Sequence, residues 1–154
     1  MSEVDLNKFF LEQVRLFESF PADKVEDIVR QSRLTTFEGN EAILETGDEA
    51  GSMGVVITGH AEISVADNTG TRTVISQLGP GDVFGVMSTL TGDRLSADVI
   101  AGNRCLVLLI PRPIFNAHIL TNPKAVAYLS HLMLDRVRTL SADIGWSGSS
   151  GRVT

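Results

Sequence analysis

The sequence predicts a mainly β protein, an eight-stranded antiparallel β-roll (a double-stranded β-helix of jelly-roll-like topology) with helices at both ends. Two observations predict this fold class. Short β-rich runs alternate with glycine-containing turns between residues 34 and 110, a spacing typical of sandwiches and rolled barrels. The flanking residues 4–33 and 112–142 have apolar residues at a helical period instead. The expected strands are Leu34–Phe37, Ala42–Leu44, Met53–Thr58, Glu62–Ala66, Arg72–Gln77, Asp82–Phe84, Ala97–Ala101 and Cys105–Ile110.

The helical ends contain their own start signals. Pro21 opens a second N-terminal helix, and the acids that follow suit the positive end of a helix dipole. Pro113 fits the first turn of a short helix after the last strand, and Pro123 opens a longer helix that we expect to reach Ala142. The apolar stripe of that long helix is expected to contain Val126, Leu129, Met133, Val137 and Leu140.

One domain accounts for most of the chain. We expect a sensor-like domain over residues 1–142, because 154 residues suffice for a single core of ordinary size. Residues 143–154 are rich in glycine and serine, which predicts a flexible tail or a linker.

Charge and hydropathy exclude several functional classes. The net charge is −6, the pI is near 5.0 and the basic residues are scattered, so no face for direct nucleic-acid binding is expected. No apolar run approaches the roughly 20 residues that a membrane helix needs. The N-terminus lacks the basic-then-apolar order of a signal peptide. The sequence therefore predicts a soluble, cytoplasmic protein without direct membrane contact.

No pattern of catalytic or metal-binding residues stands out. The single cysteine, Cys105, lies in an apolar run and is expected to be buried. His60, His118 and His131 are far apart and match no metal spacing, which argues against a cupin-type metal enzyme, the enzymatic alternative for a rolled β fold. No Ser/His/Asp ordering and no Gly-Lys-Ser phosphate loop is present. We expect no enzyme, no metal and no resident cofactor.

The most informative segment runs from Gly79 to Val99, and we call it the cassette segment. It is expected to form a turn, a strand, a short helical turn, a loop and a strand. Gly85 would let the backbone approach a ligand closely, and a helical turn opening at residues 86–88 would present free N–H groups to an anion. Arg94 would add a charge-assisted contact to a phosphate, or would remain a solvated loop charge.

Several separated motifs occur in a distinctive order over residues 4–140. They are Val14-Arg15-Leu16-Phe17, Phe37-x4-Ala42-Ile43-Leu44-x2-Gly47-Asp48, Val56-Ile57-Thr58-Gly59-x-Ala61-Glu62-Ile63, Leu78-Gly79-Pro80-Gly81-Asp82-Val83-Phe84-Gly85, and a tail with Phe115, Pro123, Leu129 and Leu134-x-Arg136-Val137. In this order they resemble the cyclic nucleotide-binding domain family, as in catabolite activator-type regulators and the regulatory subunits of cAMP-dependent protein kinase. The resemblance implies a non-catalytic regulatory sensor whose ligand is cAMP or another cyclic nucleotide.

The family binds its ligand in a phosphate-binding cassette with the pattern Phe-Gly-Glu-Met/Leu-Ser/Ala, a loop, then Pro-Arg-Ser/Ala-Ala/Thr. The glutamate accepts a bond from the ribose 2′-hydroxyl and the arginine pairs with the cyclic phosphate. Here Val86 stands at the glutamate position, Leu95 stands at the arginine position, and Arg94 falls one residue early. The resemblance gives the candidate ligand-binding residues Phe84, Gly85, Val86, Met87, Ser88, Arg94, Leu95, Ser96 and Ala97.

The surroundings of the cassette carry further expectations. Ser88 and Ser96 would either bond the phosphate or cap the turn and the strand, and Asp98 is expected to be a surface carboxylate. The base pocket would be lined by Val74, Ile75, Met87 and Val99. By resemblance, the C-terminal helix would cover the base with Leu129, Leu132, Met133 and Arg136.

Two hypotheses follow for function. In the first, a cyclic nucleotide or a related phosphorylated ligand binds the cassette segment, draws in the hinge near Leu109–Phe115 and repositions the C-terminal helix. In the second, Val86 and Leu95 mark a degenerate domain that has lost cyclic-nucleotide binding and serves as a dimerisation or interaction module of a larger signalling protein. The partners would be a homodimer copy through the C-terminal helix, an effector domain or a partner protein.

Overall fold

The predicted β-roll is confirmed by a computed structural model that describes residues 3–49 and 51–143, with side chains for residues 5–49 and 51–135. Eight strands form two four-stranded antiparallel sheets. Each strand begins and ends within one residue of its expected position. The strands are β1 (Arg33–Phe37), β2 (Ala42–Leu44), β3 (Ser52–Thr58), β4 (Ala61–Ala66), β5 (Arg72–Leu78), β6 (Val83–Phe84), β7 (Asp98–Ala101) and β8 (Cys105–Pro111).

The two sheets have the strand orders β1-β8-β3-β6 and β2-β7-β4-β5. In the first sheet, β8 pairs with both β1 and β3, and β3 also pairs with the short β6. In the second, β4 lies between β5 and β7. The cassette segment thus leaves the first sheet at β6 and enters the second sheet at β7, so it bridges the two sheets.

The core has two parts, because successive side chains of a strand point to opposite faces. On β3, Met53, Val55 and Ile57 pack against the helices, whereas Val56 points between the two sheets. A strand that is buried on both faces has a nearly continuous run of apolar residues. The sequences of β3 and β8 both show such a run.

The N-terminal helices cover the outer face of the first sheet. They comprise α1 (Glu3–Gln13), a 3-10 turn (Arg15–Phe17) and α2 (Ala22–Arg30). Pro21 is extended and directly precedes α2, so the helix that proline was expected to open begins one residue later. Phe10 and Phe17 are fully buried and meet edge to face, which fixes α1 against the 3-10 turn.

A short helix, α3 (Val86–Thr91), lies within the cassette segment. The C-terminal part consists of α4 (Arg112–Ile114), a π-helical turn (Phe115–Ile119) and α5 (Pro123–Asp143). The expectation that Val126 belongs to the packed stripe of α5 was wrong, because its side chain is exposed. Ala125 and Leu129, one helical turn apart, are buried instead.

No helix within residues 3–49 and 51–143 has both the length and the apolar character that crossing a bilayer requires. Residues 144–154, most of the expected tail or linker, lie outside the described residues, as do the side chains of Arg136, Val137 and Leu140.

Candidate functional site

The cassette segment contains a short helix between two glycines in the left-handed region. Phe84 ends β6, Gly85 follows with φ 72°, and α3 (Val86–Thr91) ends at Gly92 with φ 80°. A Cβ atom on Gly85 would lie 3.2 Å from both Leu44 Cδ1 and Ser52 O. Glycine is therefore required at position 85 for its backbone conformation and for the close approach to β2 and β3.

The ring of Phe84 anchors the cassette segment. Phe84 is paired with Gly54 of β3 and is fully buried between the sheets. A Cβ atom on Gly54 would overlap the Phe84 ring at Cζ, Cε1 and Cε2. The lack of a side chain at Gly54 thus creates the space in which the ring lies, and this fixes where α3 begins.

The side chains of α3 divide into an inward and an outward set. Val86 and Thr89 are buried, Met87 and Ser88 are half-buried, and Leu90 is exposed. Thr89 Oγ1 donates a hydrogen bond of 2.6 Å to Gly85 O, which ties the helix back to its left-handed start. The position at which the family carries glutamate therefore holds a buried apolar side chain.

Arg94 and Leu95 differ in burial in the loop between α3 and β7. Leu95 is only 8% exposed, and its main chain pairs with the 47–48 loop through Gly47 N to Leu95 O (2.8 Å) and Leu95 N to Asp48 O (2.9 Å). Arg94 is exposed, with Nη1 donating to Gly47 O at 2.9 Å and Nη2 lying 3.8 Å from Glu49 Oε1. The apolar side chain of the two is therefore the buried one, and the charged side chain lies against the 47–49 loop.

The remaining candidate residues border the same segment. Ser96 is exposed and Ala97 is half-buried, immediately before β7. The nine candidate residues lie between the end of β6 and the start of β7, in two groups separated by residues 89–93.

Arg112 connects the cassette segment to the C-terminal helices, and sequence reasoning missed it. Its Nε donates 3.0 Å to Thr89 O in the last turn of α3. A Cβ atom on Gly92 would lie 2.7–3.0 Å from the guanidinium atoms of Arg112, so the guanidinium lies directly against that glycine. Because a cation is favourable at a helix C-terminus, Arg112 stabilises α3 from the first residue of α4. The sequence offered only a faint signal, a basic residue at the start of the expected hinge.

The expectation that Asp98 is a surface carboxylate was wrong. Asp98 is 8% exposed, accepts Arg72 Nη1 at 2.6 Å and accepts the main-chain N–H of Thr46 at 2.7 Å. Arg72 Nη1 also donates to Ser64 Oγ at 3.1 Å. Burial by itself would raise the pKa of Asp98, but the hydrogen bonds from Thr46 and Arg72 outweigh it and hold this pKa below its ordinary value. The ion pair therefore fixes β7, and with it the end of the cassette segment, to β4 and β5.

We expect Asp98→Asn to lower the free energy of unfolding by about 1–2 kcal/mol at pH 7, since it weakens a buried charge-assisted network. A carboxylate whose pKa is lowered by folding stabilises the protein above its unfolded pKa of about 3.9, and this stabilisation is lost as the pH falls through the folded pKa. Urea titrations at pH 7 and at pH 3 measure the difference, which should shrink at pH 3. Asp93→Asn, in the exposed loop, is the control, and an equal loss in both variants would contradict the assignment.

Of the side chains expected around the base, Val74 is 40% exposed on β5 and is therefore not part of the core. Ile75 and Leu132 both line a cleft of about 270 Å³ between β5, β6 and α5. This cleft is lined by Ile75, Ser76, Gln77, Leu78, Asp82, Val83, Tyr128, Leu132 and Asp135.

The described residues contain no grouping of three or more side chains that could hold a metal ion. Cys105 is fully buried, as expected, and its Sγ contacts His60 O at 2.9 Å. Burial raises the pKa of the Cys105 thiol, which keeps it protonated and unreactive.

A β-roll with a left-handed glycine, a short helix and a return to the opposite sheet defines a class of ligand-binding regulatory domains. The family model described as "Cyclic nucleotide-binding domain" matches residues 34–122, more than half of the chain. The chain belongs to the cyclic nucleotide-binding domain family and is a regulatory module of that family, whose domains are typically non-catalytic.

Three similar proteins illustrate the range of this fold. This chain is 25% identical over 118 residues to neuropathy target esterase sws of Drosophila melanogaster. The aligned region covers 74% of this chain and 8% of that protein. The crystal structure of Thermus thermophilus Catabolite Activator Protein superimposes with a TM-score of 0.72 at 23% identity, over 84% of this chain and 61% of that one. The regulatory subunit of a cAMP-independent protein kinase A from Trypanosoma cruzi, bound to guanosine, superimposes with a TM-score of 0.69 at 19% identity, over 84% and 49%.

Proposed function

We propose that this chain is a non-catalytic, cytoplasmic sensor module that binds a cyclic nucleotide or a related nucleoside along the cassette segment. The observation that carries the proposal is the cassette backbone, in which Gly85 in the left-handed region brings α3 against β2 and β3. The ligand-binding residues proposed are Phe84, Gly85, Val86, Met87, Ser88, Arg94, Leu95, Ser96 and Ala97.

The apolar residues of the cassette define which part of the ligand contributes most. Val86 offers no acceptor to a ribose hydroxyl, and Leu95 offers no charge to a phosphate. The ligand would therefore be held mainly through apolar contacts to its base and its sugar ring, with polar contacts from Ser88 and Ser96. A relative of similar fold that is described as cAMP-independent and bound to guanosine supports a nucleoside as ligand.

Arg94 would supply the phosphate contact of a charged ligand. Its present bond to Gly47 O is made by an exposed side chain, and exposed contacts of this kind contribute about 1 kcal/mol or less. Exchange of Gly47 O for a phosphate oxygen therefore costs little.

Arg112 would transmit the effect of ligand binding from α3 to the C-terminal helices α4 and α5. Because this residue joins the last turn of α3 to the first residue of α4, a ligand that shifts α3 also acts on α4 and α5. The ligand drives this change only through a different affinity for the two helix positions. An effector domain or a partner protein would bind differently according to the position of α5.

Isothermal calorimetry with cAMP, cGMP and guanosine tests the proposal. We expect guanosine to bind within about tenfold of cGMP, since Leu95 gives the phosphate no charged contact and the exposed Arg94 would contribute about 1 kcal/mol or less. Arg94→Gln should weaken cGMP binding about fivefold and leave guanosine binding unchanged. Arg104→Gln, in another exposed loop, is the matched control. No heat with any of the three ligands at millimolar concentration would contradict the proposal.

A second candidate function is favoured by the buried state of Val86 and Leu95, which are 2% and 8% exposed. These side chains fill positions that a ligand contact would use, as expected of an interaction or dimerisation module without a nucleotide. Val126 and Leu134 expose apolar surface on α5. If the chain forms a homodimer through α5, and all three ligands give no heat, this second function is the correct one.

A further inference from the structure

A second cleft, remote in sequence from the cassette segment, lies where α2 meets the start of α5. Its volume is about 470 Å³. We call it the basic cleft, and it is lined by Ser19, Phe20, Pro21, Lys24, His118, Thr121, Asn122, Pro123 and Lys124.

The charge of the basic cleft is opposite to that of the protein. The chain carries a net charge of −6 and has three lysines, Lys8, Lys24 and Lys124, of which the last two line this cleft. No aspartate or glutamate is among the lining residues. The ion pairs described for Arg30, Arg72, Arg94 and Arg104 involve neither Lys24 nor Lys124.

Two basic side chains from distant parts of the chain converge in the cleft. Lys24 Nζ, on α2, lies 3.4 Å from His118 Nδ1, in the π-helical turn. No carboxylate lines the cleft to balance the Lys24 ammonium. An anion beside this pair would accept hydrogen bonds from the ammonium and from a ring N–H of His118.

The walls of the cleft are already fixed, and the helix terminus is already capped. Asn122 Oδ1 accepts the main-chain N–H groups of Lys124 (3.0 Å) and Ala125 (3.1 Å) at the start of α5. The same oxygen lies 3.2 Å from Ser19 Oγ, which joins the two walls. The attraction for an anion therefore comes from the lysine and histidine side chains rather than from open N–H groups of the helix.

We propose that the basic cleft binds the phosphate group of a small phosphorylated molecule. A phosphate monoester carries a charge between −1.5 and −2 at pH 7, so one group neutralises both lysines. Lysine binds phosphate as a point charge and needs no planar, paired geometry. A bound phosphate would bridge α2 to the π-helical turn and α5. No cassette residue lines the basic cleft, so this binding does not require a ligand in the cassette segment.

Inorganic phosphate is the probe, titrated into the ¹⁵N-labelled protein at constant pH and ionic strength and followed by amide chemical shifts. We expect saturable shifts at Lys24, His118 and Lys124, and binding at least tenfold tighter than that of acetate or chloride. Lys24→Gln and Lys124→Gln should each weaken binding about fivefold, and the double variant should abolish the saturable shifts. Lys8→Gln, the same substitution on α1 and outside the cleft, should leave the affinity unchanged.

Each possible result decides the proposal, because the amide spectrum also reports whether each variant is folded. Equal shifts with phosphate and chloride would mean nonspecific ionic contact and would overturn it. Equal weakening by Lys8→Gln, or full binding by the folded double variant, would overturn it as well. A failure of the nucleotide titrations leaves this result untouched, since no cassette residue lines the basic cleft.

Discussion

Introducing glutamate at Val86 and arginine at Leu95 is expected to strengthen cAMP binding roughly a hundredfold. Each substitution places a charged hydrogen-bonding group at a buried position beside the expected sugar or phosphate. A hydrogen bond to a charged group contributes about 1.5–3 kcal/mol, and two such bonds account for the gain after the cost of desolvation. Calorimetry on the double variant against the unchanged chain measures it.

The same double variant should be less stable without ligand. Two charges in buried positions lack partners until a nucleotide arrives, so we expect a lower melting temperature that recovers at saturating cAMP. Leu95→Met, which keeps an apolar side chain of similar volume, is the matched control and should change neither the affinity nor the response to ligand. If the folded double variant binds cAMP no better than the control does, the ligand does not reach these positions and the proposed site is wrong.

Gly54→Ala is expected to destabilise the domain by about 3 kcal/mol, which corresponds to a fall in melting temperature of roughly 10 °C. The added Cβ would overlap the ring of Phe84, and that ring has no exposed surface through which it could move aside. Either β3 and β6 separate or the ring leaves its position, and both changes displace the start of α3. Differential scanning calorimetry measures the loss.

Two variants make this prediction specific. Gly51→Ala places the same methyl group where no atom lies within 4 Å, and it should change stability by less than about 0.5 kcal/mol. Combining Gly54→Ala with Phe84→Leu should cost less than the sum of the two single changes, since the shorter side chain leaves room for the new methyl group. Strict additivity of the two losses would show that the ring and the glycine are not in contact.

Local patterns determined the strands because each run has a clear beginning and end. Alternating apolar runs and glycine turns located all eight strands to within one residue. Gly85 was expected to permit an unusual backbone approach, and its φ of 72° agrees with that expectation. The buried position of Cys105 followed from its apolar neighbours alone. Each of these features depends on residues that are close together in the chain.

The sequence alone did not reveal features made by partners that are distant in the chain. Asp98 looked like a surface carboxylate until Arg72 and Thr46 were found beside it, 26 and 52 residues away. Arg112 lies against a glycine of the cassette segment, and Lys24 meets His118 across 94 residues. Val126 matched the apolar period of α5 but faces outward, because only the packing of the helix determines which side is buried.

For the cassette segment, the sequence by itself determined the family, the glycine-bounded turn and the loss of the two charged positions at 86 and 95. Only the tertiary structure decided that both replacements are buried while Arg94 faces the 47–49 loop. The physical reason is that side-chain type is a local property, whereas burial and charge pairing depend on how the two sheets and the helices pack.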